Sequence, residues 1–105
     1  MAYKVTSTAI LGEGASRYVD VTPELRAKFD EYVSAGKANV TSSNSGSPAI
    51  DENGNRVITV VTIWNSKADH DEYSAWLEQN HGVLRREYIL SMKGKLNHST
   101  VGEEI

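Results

Sequence analysis

The chain contains no cysteine. That single absence excludes disulfides, thiolate metal centres, iron–sulfur clusters and thiol nucleophiles, so burial and hydrogen bonding alone must hold the fold. It also has no run approaching the roughly 18 consecutive apolar residues of a membrane span, and its opening residues, MAYKVTSTAIL, carry no long apolar core of a secretory signal. A soluble, cytoplasmic protein without a membrane partner is the expectation. Positive charge is not in excess either: the formal net charge is −3. Nothing general is therefore available to neutralise phosphates, and nucleic acid is not an expected partner.

What is present suits one small folded unit. With 39% hydrophobic and 24% charged residues over 105 positions, the chain has enough apolar content for one core and too little length for two, which predicts a single domain over residues 1–105. The most legible stretch runs from Asn53 to Trp76. Asn53-Gly54 signals a hairpin turn of the kind that needs positive φ at both residues. Arg56 to Trp64 (RVITVVTIW) then reads as a strand that is apolar or β-branched on both sides, so both faces should be covered. Ser66 follows as an N-cap with Asp69 at N3, and Tyr73, Trp76, Leu77 and Asn80 fall on one helical stripe.

Tyr3 to Leu11 alternates as a strand with one wetter side. Gly12 to Ser16 is a loop, and Arg17 to Val21 is either a short returning strand or an extended approach to the next helix. Thr22 as cap, Pro23 at the first helical position and Glu24 in the first turn predict that helix, and Gly36 ends it. Ala38 to Thr41 pairs as a second strand that breaks or bulges at the loop Ser42 to Pro48 and resumes at Ala49-Ile50. The second helix is expected to end at Asn80-His81-Gly82, Leu84 to Met92 to form the last strand, and residues 93–105 to form a mobile tail or a dimer arm.

The resulting order is strand, helix, strand, strand, helix, strand. Two split βαβ units with right-handed crossovers give an α+β, ferredoxin-like βαββαβ fold, a four-stranded antiparallel sheet with both helices on one face. The other face then carries more apolar surface than a monomer normally exposes, so the sheet is expected to be covered by a second copy of the chain as a homodimer.

Val61-Thr62-Ile63-Trp64-Asn65-Ser66, followed by an acidic helix with Tyr73 and Trp76, resembles the dimeric α+β barrel superfamily and within it the antibiotic-biosynthesis-monooxygenase-like group. The resemblance implies dimerisation through the sheet face as a dimeric α+β barrel, and among the activities of such proteins a cofactor-free monooxygenase-like reaction on a small aromatic or polyketide-like substrate. The haem-degrading branch is disfavoured. Its strand-one asparagine is replaced here by Ser7 and Thr8, and an ungapped alignment from Trp64 places Tyr73 and Val83 at or near its helix tryptophan and its histidine.

Among candidate sites, Asp69-His70-Asp71-Glu72 is dense in ligating groups, but His70 has Tyr73 and Ser74 at the positions one turn on, where a second metal ligand would stand. No metal and no cofactor are expected. Asp51 to Asn55 begins like a calcium loop and fails at Arg56, where the turn glycine belongs, and at Thr62, where the last carboxylate belongs. His81 is either a general base or a charge placed at a helix end, and His98 lies in the tail. One of Arg85 and Arg86 should face solvent and the other a carboxylate or a partner chain. Trp64, Tyr73 and Trp76, with His70 as a polar handle, are either the lining of an apolar ligand pocket or plain core and interface aromatics. No catalytic residue is identified. Two roles follow: the favoured one is a non-enzymatic dimer with a filled core that binds a protein partner through the serine-rich loop and the C-terminal tail, and the alternative is an enzyme with a pocket for a small apolar ligand.

Overall fold

A computed structural model describes the whole chain, Met1–Ile105. Its centre is β1 (Tyr3–Leu11), which pairs antiparallel along its full length with β4 (Arg56–Trp64) on one side and β5 (Leu96–Glu104) on the other. On the far side of β4 lie β2 (Ala38–Ser43), which carries a bulge between Val40 and Ser42, and the two-residue β3 (Ala49–Ile50). The two helices are α1 (Pro23–Ser34) and α2 (Lys67–Ser91). With the strand order β2-β4-β1-β5, this is the α+β ferredoxin-like arrangement that the element order predicts.

The gap between β2 and β3 is closed by one side chain. Asn44 accepts from the Thr59 amide at 2.8 Å and donates to the Val57 carbonyl at 3.1 Å, so its amide group stands in for a strand partner. The loop after β3 is longer than a two-residue hairpin. Among non-glycine residues only Lys93 has positive φ, so Asn53 does not adopt the expected type I′ geometry. Instead the Asp51 carboxylate accepts from the amides of Asn53 and Asn55, both at 2.9 Å, and this local bonding shapes the turn.

Three other expectations are corrected. Of Arg17 to Val21 only Arg17 is extended, because Tyr18–Val21 form a 3-10 turn. Thr22 makes no side-chain cap, whereas the Ser66 hydroxyl does accept from the Asp69 amide at 3.1 Å. The largest change is at the C-terminal end: α2 does not stop at His81-Gly82 but continues to Ser91, and Leu84 to Met92 is helix, not strand. Leu84 and Leu90, whose apolarity suggested a strand, are 56% and 78% exposed on its outer side. The true stop is Lys93-Gly94, with φ of 53° and 80°. Residues 96–104, read as part of a tail or arm, form the edge strand β5.

Both helices pack on one face of the sheet, and the core there is split. At one end Ala9, Leu11, Ala15, Ile58 and Leu96 are buried together, with Tyr88, Ile89 and Met92 of α2 against them. At the other, Val5, Tyr32, Ala38 and Trp64 are buried with Phe29 and Tyr73. Between the two clusters the same face carries Ser7, which pairs with Val60 and Thr100. These side chains are too short to reach the helices, and the consequence is a hollow. By alternation the opposite face carries Lys4, Thr6, Thr8 and Ile10 from β1 and Val57, Thr59, Val61 and Ile63 from β4. No helix covers it.

The helices are tied to each other by polar bonds. Tyr32 of α1 is 7% exposed and donates to Glu72 of α2 at 2.8 Å. Burial first, and then the Glu72 carboxylate, push its phenol from 10.0 up to about 12. The folded state therefore holds this proton more tightly than the unfolded chain, and stability must fall as pH rises from about 10 to about 12. Urea unfolding across that window should show the fall, and Tyr32→Phe should remove this component while costing about 1 kcal/mol at neutral pH. Parallel pH curves for the two proteins would contradict the assignment.

Candidate functional site

The hollow between the sheet and the helices has a volume of about 630 Å³ and is lined mostly by apolar groups. Its shape follows from the register. Trp64 is level with Tyr3 at one end of β1, and His98 is level with Ala9 six residues further along. One end of the cavity is thus aromatic and the other cationic.

At the aromatic end, Phe29 and Trp64 meet edge to face at 5.8 Å, and Tyr73 lies 5.6 Å from Trp64 and 5.9 Å from Phe29. His70 sits against the Trp64 ring at 5.5 Å, with its Nε2 3.4 Å from the Ser74 hydroxyl and its Nδ1 3.3 Å from Asp71. Trp64, His70 and Tyr73 all line the cavity. Trp76 does not: it stacks on the outer side of Tyr73 at 6.2 Å, between Lys28 and His81. Burial raises the Tyr73 phenol above its ordinary value, and Arg85 opposes that shift. No three His, Asp or Glu side chains converge where they could hold a metal ion.

The cationic end was not expected. Arg85 faces the cavity from α2, its Nη2 3.5 Å from His98 Nδ1 on β5. A guanidinium can only donate, so a bond across this long contact requires the facing ring nitrogen to accept, which favours the imidazole proton on Nε2. His98 lies on the edge strand, partly open to solvent, and contributes to the cavity lining. Burial, then Arg85 and Arg17, hold its pKa below 6.5, so the ring is neutral at pH 7. Arg86, in contrast, points outward and binds Glu78 at 2.7 Å. Gly82 leaves room for the Glu78 carboxylate in this position, because a Cβ there would stand 2.6 Å from its oxygen.

His81 stands neither at a helix end nor in the cavity lining. It is 5% exposed in the middle of α2, with Nδ1 2.9 Å from the Tyr18 hydroxyl and Nε2 3.1 Å from Glu24. The Glu24 contact is close but out of line for a hydrogen bond. Its role is to join α2 to the 3-10 turn and to the start of α1, which fixes the wall that carries Tyr18 and Arg17. The sequence signal that was available for Arg85 and Tyr88 is helical: His81, Arg85, Tyr88 and Met92 recur every three or four residues.

No protein-family model matches this chain, and no curated protein is similar to it in sequence. It is similar in structure to a dimeric ferredoxin-like protein from an uncultured marine organism, known from a crystal structure, with a TM-score of 0.51 and 11% identity over 99% of this chain and 94% of that one. At that identity the likeness concerns the fold alone, and it places the chain among ferredoxin-like structures.

Proposed function

We propose that residues 1–105 act as one ferredoxin-like domain that binds a small, largely apolar molecule between its helices and its sheet. The observation that carries this reading is the cavity of about 630 Å³, within the roughly 300–1,000 Å³ typical of small-molecule sites and lined as they are, with apolar walls and a few polar groups. A protein-docking role through loops and tail predicts a filled core. The hollow favours a ligand instead, with Trp64, Tyr73 and His70 forming one wall and Trp76 supporting Tyr73 from behind.

A second copy of the chain is the proposed partner, seated on the bare sheet face. Ile10, Val57, Val61 and Ile63 offer it an apolar strip, and the structural neighbour is itself described as dimeric. The finer likeness, to antibiotic-biosynthesis-monooxygenase-like proteins, supports a second reading in which the bound molecule is an aromatic substrate oxidised without a cofactor. The observation in its favour is that titratable groups, among them His70, Tyr73 and His98, face the cavity.

Three measurements check these readings. Neutral 1-naphthylmethanol should bind with measurable heat in calorimetry, and Val60→Phe, which fills the hollow, should abolish binding while changing stability by less than about 1.5 kcal/mol. Sedimentation should show a dimer at micromolar concentration and a monomer for Val61→Lys; a wild-type monomer would end the sheet-face proposal. Dioxygen uptake with tricyclic phenols, lost in His98→Leu, would favour oxidation; no uptake would leave binding alone.

A further inference from the structure

The cavity wall includes three arginines, Arg17, Arg26 and Arg85, against one carboxylate, Glu78. Their partners differ. Arg17 holds Asp20 through two bonds of 2.8 Å, and Arg26 approaches the same carboxylate at 3.8 Å. Glu78 is held from outside by Arg86. Arg85 alone has no carboxylate within ion-pair distance; its one polar neighbour is the neutral face of His98.

Arg85 is half-buried as a residue while its guanidinium stays accessible, and with no protein carboxylate in reach it is free to take an anion that enters the hollow. The Arg85 fork and the His98 Nε2–H together offer donors suited to a planar, negatively charged oxygen group. From Arg85, the apolar walls of Ile58, Val60 and Leu77 lead toward the aromatic end.

Resting on the small-molecule reading above, we infer that the ligand is an apolar or aromatic acid, bound with its body along the hollow and its anionic oxygens on Arg85 and His98. A carboxylate fits the two-pronged donor best, and a phosphate ester shares the same chemistry. Neutral ligands of the same shape fill the same space but leave Arg85 unpaired. Lining serines and threonines do not supply a rival charge.

The test compares 1-naphthoate, 1-naphthyl phosphate and neutral 1-naphthylmethanol by calorimetry on the full chain, with wild type, Arg85→Leu and Arg85→Lys. The expected result is that 1-naphthoate binds wild type roughly 10-fold or more tighter than the alcohol, as a charge-assisted contact should. Arg85→Leu should erase that advantage, the acid then binding no tighter than the alcohol does to the same variant, and Arg85→Lys should keep part of it. Preference for the phosphate over the carboxylate would support the anion site and assign it to phosphate esters. Equal binding of acid and alcohol to wild type, a comparison that needs no variant, would overturn the inference and leave the pocket standing. Failure of all three probes to bind would remove the pocket reading itself.

Discussion

The structure depends on what stands in the middle of one sheet face. A ferredoxin-like domain of this size normally fills the space under its helices with branched apolar side chains, at the packing density of an organic crystal. Here the centre of that face carries Ser7 on β1, level with Val60 on β4 and Thr100 on β5. The large residues are displaced to the ends, where Leu11 is 1% exposed in one cluster and Trp64 2% exposed in the other. The two clusters hold the helices apart like end posts. The hollow is a consequence of sequence, and a larger residue at position 7 or 60 would close it.

That constraint explains the reliance on polar braces. Helices that cannot seat on a continuous core need other attachments, and Tyr32–Glu72 and Tyr18–His81 supply them from side chains on opposite elements. The first starts from the buried cluster around Trp64 and reaches α2, and the second joins α2 to the 3-10 turn. A related economy operates on the sheet, where the Tyr3 hydroxyl lies so close over Gly102 that a side chain there would displace it. A β-carbon at position 102 would push Tyr3 away from the strand pair that anchors β5.

How far these features could be read from the sequence depended on the local signal. The first strand, the first helix and the central strand announced themselves by period, and Ser66 by its capping geometry. The last third misled for two physical reasons. Gly82 resembles a helix end, since glycine in a helix interior costs about 1 kcal/mol, but here it makes room for the Glu78 carboxylate. Residues 96–104 (LNHSTVGEE) look like a polar tail, because an edge strand with one buried residue, Leu96, has almost no apolar alternation to display. The error carried through to the site. Trp64, His70 and Tyr73 were visible as cavity candidates because they sit on well-predicted elements. His98 and Arg85 were not, since their approach requires α2 to continue and β5 to exist.

The continuity of α2 also fixes the spacing of side chains along the hollow. Tyr73 and Arg85 are twelve residues apart on one unbroken helix, which sets their backbone positions about 18 Å apart along its axis. Had the helix ended at Gly82, Arg85 would lie on a separate strand whose position could adjust independently of the aromatic wall. On a single rod the spacing cannot change without bending the helix or shifting it whole, and the His81 brace resists the shift. The distance between aromatic wall and cation is thereby fixed by the backbone. A ligand of the kind proposed, touching both, would be measured against the helix itself, so its length as well as its charge would enter the discrimination.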